Sequence, residues 1–527
     1  MALADRVSVT ASFADVDNDG DADLFVTTVR GGNALFLNDG TGRFRDATGE
    51  AGLAYSGHSS AAVFFDYDND GWLDLFLANV GVYTTAERSS SGTYVGIADA
   101  FNGDLYPERA ERSILYRNLG GGRFRDVSEE ALLIDRSWSG DASPADFDGD
   151  GFQDLYVLNM QGQDHYYQNV GGRFFADRTA KLFPRTPLGT MGVKVFDWNR
   201  DGRLDLLLTD MHADMGELIG PEREKLKARP HAGTPEVVLE HRIMGNALFE
   251  GTADGFREVS DEVGAENYWP WGVSVADFNA DGWDDVFIAS SMNFPFRYGI
   301  NSVLLNNGSH HFDDAEFVLG VEPQAEPLQP WFEVDCPAAG EGKAAAGAPE
   351  GADPMAAWKV FTDPGHRSTG GAPAGAHPLC AGRSGRVVVI AAKGSRSSVV
   401  FDLDGDGDLD IVTNEFNGPP QVLISDLAQQ GPVRFLAVRL QGTRSNRDGL
   451  GARVTLVTDR GSHLMVADGK SGYLSQSRLP LYFGLGRAEP AEQPLRLEIA
   501  WPSGARQTVE GPEIGRLATV VEPAVEP

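Results

Sequence analysis

Cysteine is almost absent. Cys336 and Cys380 are the only two in 527 residues, too few for a disulfide framework and without the CxxC spacing of a zinc site. The sequence leaves open whether they bridge or stay as thiols. No run of 18 apolar residues occurs, so no transmembrane helix is expected. The opening MALADRVSVTASF has no apolar leader core and enters a β-type run almost at once. That pattern predicts a trimmed or clipped start rather than a cytosolic protein. Basic charge is scarce as well: 44 Lys and Arg against 77 Asp and Glu give a net charge of −33. A nucleic-acid partner, which needs a basic footprint, is therefore not expected. GxSxG, HExxH, P-loop and GxGxxG-plus-helix signatures are all missing, so no recognisable catalytic motif is present.

What remains suits a large folded β protein. The chain is 42% hydrophobic and 10% aromatic, enough for a sizeable core, and 63 glycines with 28 prolines imply many turns. One acidic motif recurs six times, at 15–23, 66–74, 146–154, 197–205, 277–285 and 402–410. The steps between copies are 51, 80, 51, 80 and 125 residues, which reads as a unit of about 50 carrying insertions. A β-type run precedes each motif, as in SAAVFF (60–65) and GVKVF (192–196). Another follows, as in DLFLA (74–78), DLYVL (154–158) and DVFIA (285–289), and one or two more come later. Four short strands per unit is the signature of a propeller blade, and solenoid coils are usually shorter. The expected fold is all-β, a six- or seven-bladed β-propeller over 1–430 with a small β-sandwich or barrel-like domain over 431–527. A Pro-, Ala- and Gly-rich stretch at about 321–385 reads as a long surface loop.

In DxDxDGxxD, side chains one, three and five converge, glycine six permits the sharp turn, residue seven offers a carbonyl and residue nine a carboxylate. Hard oxygen donors at that spacing suit Ca²⁺. The candidate ligands are Asp15, Asp17, Asp19, Asp21 and Asp23; Asp66, Asp68, Asp70, Trp72 and Asp74; and Asp146, Asp148, Asp150, Phe152 and Asp154. They continue with Asp197, Asn199, Asp201, Arg203 and Asp205; Asp277, Asn279, Asp281, Trp283 and Asp285; and Asp402, Asp404, Asp406, Asp408 and Asp410. Carboxylates fill 22 of the 24 places at positions one, three, five and nine, the exceptions being Asn199 and Asn279. About six calcium ions are expected, each a staple between the first two strands of a blade. They explain the abundant carboxylate pairs, which are then poor evidence for glycoside hydrolysis. Calcium is plentiful outside cells, which favours a secreted, periplasmic or cell-surface location.

These loops resemble the FG-GAP, or VCBS-type, repeats of the integrin α-chain propeller family. The segments RFLAVRLQGTRSNRDGLGARVTLV (434–457), DGKSGYLSQSRLPLYFGLG (468–486) and LRLEIAWPSGARQTV (495–509) resemble the ASPIC/UnbV domain of the cartilage acidic protein family and its bacterial relatives. The resemblance implies a calcium-binding propeller with a C-terminal β-rich domain, usually extracellular, and no established reaction. It also implies calcium on one face and ligands on the other. Read without the family, 445–451 and 468–472 are polar loops that either bind an anion or sugar or fix their own turns.

Large insertions at 80–112 and 211–244, and a shorter one at 291–299, leave the second strand of their units at the end opposite the acidic loop. Ligands are expected there. Thr28, Asn79, Asn159, Asp210, Ser290 and Glu415 stand thirteen residues after the first Asp of each motif. They form either an oxygen-rich ring at that rim or solvated and capping strand ends. His212, Asp214 and Arg297 complete the candidate rim. Asp210, His212 and Asp214 alternate, offering a possible transition-metal site, and Asp210, His212 and Glu415 are the catalytic candidates if the rim is an enzyme. Tyr268, Trp269, Trp271, Phe294, Phe296 and Tyr298 read as packing or as sugar-stacking faces. The first reading is a calcium-stabilised extracellular propeller binding a glycan or protein. A rim enzyme and a purely structural matrix or cell-surface protein are the alternatives.

Overall fold

The structure, a computed structural model, describes residues 3–88, 92–97, 106–211, 225–227, 241–290, 299–324, 328–336, 385–416, 418–486 and 495–524. His212, Asp214, Arg297, Phe294, Phe296, Tyr298 and Cys380 lie outside them, as does the Cys336 side chain.

Every acidic motif sits between two strands. The strands before the six motifs are Val7–Ala14, Ser59–Phe65, Ser139–Ala145, Thr190–Phe196, Pro270–Ala276 and Ser395–Phe401. Those after them are Asp23–Val29, Asp74–Asn79, Asp154–Asn159, Asp205–Asp210, Asp285–Ser290 and Asp410–Glu415. Each pair is antiparallel and leads into a third strand; the first five sheets have four strands and the sixth has three among the described residues. Consecutive first strands contact one another in chain order, so they line the propeller axis. The second strands from sheets two to five are buried along their whole length. A strand covered on both faces needs no polar alternation, which is why DLFLA and DVFIA read as continuous apolar runs. The apolar clusters lie between neighbouring sheets. Phe25 and Leu35 of the first meet Phe64, Leu75 and Leu77 of the second, and Leu207 and Leu248 of the fourth meet Val273, Val286 and Ile288 of the fifth.

The stretch at 321–385 is not all loop. Leu328–Cys336 pairs antiparallel with Gly385–Ala392, so strand pairing closes the base of that insertion. These two strands form a separate sheet rather than a further four-stranded one.

The C-terminal strands make two sheets around one core. Phe435–Gln441 lies between Leu481–Gly484 and Leu517–Val521, and Arg453–Thr458 between Gly461–Val466 and Arg496–Ala500, with Arg506–Glu510 at the edge. Leu436, Val438, Val454, Phe483, Leu497, Ile499 and Trp501 are buried together in that core.

A hairpin from this domain, Lys470–Ser471 paired with Ser475–Gln476, reaches every axial strand of the propeller. Thr10 Oγ1 donates to the Leu474 carbonyl at 3.1 Å. The Gln476 side-chain amide exchanges two bonds with the Phe64 backbone, at 2.6 and 3.0 Å. Lys470 Nζ meets both oxygens of Asp141 at 2.6 Å, and Lys194 Nζ bridges Asp468 and the Lys470 carbonyl. The Tyr473 N–H donates to Ser397 Oγ at 2.8 Å, and Gly272 is so close to Tyr473 that a Cβ there would stand 2.9 Å from the tyrosine Cβ. The segment 468–472, read from sequence as a polar loop, is the stem and tip of this axial plug.

Lys470 and Asp141 are each 1% exposed, so their charges depend on one another. Lys470→Met should leave a buried carboxylate without its counter-charge and cost roughly 3–5 kcal/mol in denaturant unfolding. Adding Asp141→Leu should recover most of that loss. Equal destabilisation by the single and double changes would show that the pair is not the source.

Candidate functional site

The six acidic turns repeat one hydrogen-bond plan. The first Asp accepts the N–H of glycine six: Gly20 to Asp15 at 2.8 Å, Gly71 to Asp66 at 2.9 Å and Gly282 to Asp277 at 2.7 Å. The fifth Asp accepts the N–H of residue seven, as Trp72 to Asp70, Arg203 to Asp201 and Trp283 to Asp281. Glycine six has φ of 104° at Gly20 and 88° at Gly71, which requires glycine's freedom. Position four is left-handed in all six turns, including Asn18, Asn69, Arg200 and Ala280, a regularity hidden by its varied residues.

The ninth Asp has a distinct task. One oxygen of Asp23 accepts the Val16 N–H within the turn, and the other accepts the Asn38 N–H at the end of the third strand. Asp74, Asp154, Asp205, Asp285 and Asp410 repeat this double bond to their own turns and third strands. All six are buried. Position nine therefore ties three strands together through the backbone, whatever else it ligates.

Positions one, three and five bring carboxylate oxygens within 4.8 Å of one another in Asp15–Asp17–Asp19, Asp66–Asp68–Asp70 and Asp146–Asp148–Asp150; Asp402, Asp404 and Asp410 do so in the sixth turn. Oδ1 of Asp17, Asp68 and Asp408 is buried with no hydrogen-bond partner. Orphan buried oxygens beside converging carboxylates fit a hard cation. The turns with Asn199 and Asn279 keep an oxygen there with less charge. In the second turn Arg117 adds a fixed positive charge, 2.7 Å from Asp68 and 2.9 Å from Asp70.

Without a cation these groups hold protons strongly. Burial first, then neighbouring carboxylates, raises Asp15, Asp68 and Asp197 to about 6 and Asp66 to about 7. Burial, opposed by their hydrogen bonds, still lifts Asp23 to about 7 and Asp154 and Asp205 to about 8.

The C-terminal domain covers this face. Asp448 accepts the Asp15 N–H and pairs with Arg478, while the Arg447 N–H donates to Asn18. Arg453 reaches carbonyls of Asp146 and Gly202, and Tyr482 O–H donates to the Gly407 carbonyl at 2.9 Å. His463 meets Asp284 at 3.0 Å, and the Gly486 N–H donates to the Ala280 carbonyl at 2.8 Å. The polar loop 445–451 fixes its own turn through Asn446 and Leu450 while docking on the first acidic turn.

At the opposite end, strand register makes Thr28, Asn79, Asn159, Asp210, Ser290 and Glu415 equivalent, facing Ser8, Ser59, Ser139, Thr190, Pro270 and Ser395. All six are buried rather than set around an open mouth. Asp210 accepts the N–H groups of Leu188 and Gly189, and Glu415 accepts from Ser395 and Thr413. Asn159 and Ser290 have their N–H groups held by Asp164 and Asn301. The network crosses between sheets, as Asn33 donates to Ser59 and Thr190 to Asp164. Of the other aromatics, Tyr268 and Trp269 are buried and Trp271 is partly exposed.

The raised carboxyls fix the sign of the pH response. Their unfolded values near 3.8 lie below the folded ones, so the folded state binds more protons between about pH 4 and 8 and loses stability as pH rises through that range. Glu522, held down to about 2 by bonds from Ser503, Arg444, Thr443 and Ser445, works in the opposite sense below its usual 4.5. With chelator present, thermal unfolding should therefore peak near pH 5 and fall toward pH 8. A chelated protein whose midpoint rises from pH 5 to pH 8 would contradict the proton-holding turns.

Residues 15–77, 96–157, 146–208 and 233–288 match the FG-GAP-like repeat, and residues 442–527 match ASPIC and UnbV. Cartilage acidic protein 1 of Mus musculus is 24% identical over 524 residues, with 94% of this chain and 66% of that protein covered. The Xenopus tropicalis protein of that name is 24% identical over 98% of this chain and 74% of its own, and the human one 24% over 90% and 61%. The chain thus spans 61–74% of the length of these relatives. Among solved structures, the V. cholerae biofilm matrix protein Bap1 aligns with 95% of this chain and 62% of its own at 10% identity, with a TM-score of 0.27 that carries no structural argument. Six acidic turns on propeller sheets, followed by the matching C-terminal domain, make the chain an FG-GAP-like repeat protein with an ASPIC and UnbV domain, similar to the cartilage acidic proteins.

Proposed function

We propose that the protein is a calcium-stapled extracellular propeller that binds a glycan or protein partner on the face opposite its acidic turns. The observation that carries this reading is the occupation of the acidic face by the chain's own C-terminal domain, through contacts such as Arg447–Asn18 and Tyr482–Gly407. A partner then has the other face, where the insertions at 80–112, 211–244 and 291–299 depart. Residues 15–23, 66–74, 146–154, 197–205, 277–285 and 402–410 would hold the ions. The ions would supply positive charge to turns that otherwise crowd their carboxylates, offsetting about 12 of the 33 excess negative charges. Because the same turns carry the docking contacts of the C-terminal domain, calcium would stiffen both the sheets and the domain junction. The relatives' names speak of cartilage, an extracellular setting, and among the described residues no helix is long and apolar enough to cross a membrane.

Elemental mass spectrometry before and after mild chelation tests the staple. About six calcium ions per chain are expected, with a lower melting temperature once they are removed. Fewer than about three would sink the assignment of the acidic turns. A stoichiometric copper, iron, manganese or zinc that survives chelation would move the reading to a metal-dependent enzyme. Glycan and protein arrays with the calcium-loaded chain should then give saturable binding that is lost when 80–112 or 211–244 is shortened.

A further inference from the structure

All six axial strands slip register near their first residues. The pairing skips between Ser8 and Ala11, Ser59 and Ala62, Ser139 and Asp141, Thr190 and Gly192, Pro270 and Val273, and Ser395 and Ser397. Each slip is at the end away from the acidic turns, and a bulge re-aims the side chain of its extra residue. In the third and fourth sheets the extra residue is Gly140 or Met191, but in the fifth and sixth sheets the bulges hold Trp271 and Arg396. These two meet: the guanidinium carbon of Arg396 lies 3.4 Å from the centre of the Trp271 ring and 4.7 Å from that of Phe416. Tyr473, at the tip of the axial plug, stands edge-on to Trp271 with ring centres 5.5 Å apart.

The chemistry of this cluster is one-sided. Among the described residues no ion pair holds Arg396, whose surroundings act on it through burial and Tyr473 rather than a carboxylate, although the chain carries 77 acidic residues. Trp271 Nε1 is buried without an acceptor. Arg396 thus has two aromatic rings within cation–π distance, and its guanidinium keeps N–H donors for an anionic group. Burial lowers its pKa to about 10, which leaves it charged at neutral pH. Burial also raises the Tyr473 phenol, which stays neutral and able to donate. The site thus offers a cation, a phenol and aromatic faces, with no carboxylate paired to the cation among the described residues. A neutral sugar would satisfy the rings and leave the cation bare, and a bare anion would ignore the rings.

We propose that Trp271, Arg396, Phe416 and Tyr473 form a binding site at the far end of the propeller axis for an acidic saccharide, whose carboxylate pairs with Arg396 and whose ring packs on the aromatic faces. This deepens the preceding reading and rests on it, because it requires the far face to be the ligand face. The plug supplies the floor, so the C-terminal domain completes the site on the propeller's opposite side.

The test is calorimetric titration of the calcium-loaded full chain with a glucuronic acid-containing tetrasaccharide, its neutral glucose counterpart and inorganic sulfate. Saturable binding of the acidic sugar is expected, with the neutral one at least about tenfold weaker and sulfate weaker still. Arg396→Met should weaken the acidic sugar about ten- to hundredfold, and Arg396→Lys, which keeps charge but not the planar fork, by less. If the Met variant fails to fold, the Lys variant and the three-ligand comparison still decide. No binding of the acidic sugar, equal binding of sulfate, or affinity unchanged in a folded Arg396 variant would each overturn the proposal. A far-face ligand found on arrays that ignores Arg396 but needs the 80–112 insertion would leave the broader function standing and remove this site.

Discussion

A buried carboxylate whose two oxygens each accept a backbone N–H is the contact on which the rest of this protein depends. Asp23, Asp74, Asp154, Asp205, Asp285 and Asp410 each hold the turn before them and the third strand beside them. Each such group satisfies two backbone N–H groups at once, and leaving those N–H groups unpaired in the interior would be costly. The arrangement also explains why the acidic turns can crowd further carboxylates at their tips. The strand frame is fixed by position nine, so positions one, three and five are held close despite their repulsion, without any ion being needed to form the turn.

The same frame dictates how the two domains meet. Turns fixed in space present carbonyls and N–H groups in fixed directions, and the C-terminal domain uses them: Asp448 on Asp15, Arg453 on Asp146 and Gly202, Tyr482 on Gly407. From that platform its hairpin runs into the axis, where Lys470, Gln476 and Tyr473 find partners on different sheets. Strands from the first and last sheets both contact the hairpin, so the ring and the plug support each other. Filling the axis from the acidic face sets the tip of the plug against the bulged residues of the last two sheets, Trp271 and Arg396, at the other end.

Much of this was legible in one sequence because the repeat is periodic and its chemistry local. The spacing of Asp and Gly predicts the turn, and the apolar runs on either side predict a strand before it and a strand after it. The C-terminal strands were legible in the same way, from alternation and glycine turns. Less visible was the left-handed fourth position, where Asn, Gly, Arg and Ala share one backbone state. The stretch at 321–385 misled in part, since its Pro- and Gly-rich centre masks the paired strands at its base.

Equivalence along the repeat also aligned Thr28, Asn79, Asn159, Asp210, Ser290 and Glu415, and register upholds that alignment. Their burial did not follow from it, because it depends on Asn33, Asp164 and Asn301, whose side chains arrive from loops of no fixed spacing. By itself the sequence determined the turns, the strands and their order, since those follow from contacts within some fifty residues. Tertiary structure alone decided that DGKSG fills the axis, that SNRDGLG docks on the first turn, and that Trp271 and Arg396 stack. Those pairings join residues more than a hundred positions apart, and only the arrangement of the sheets around one axis brings them together.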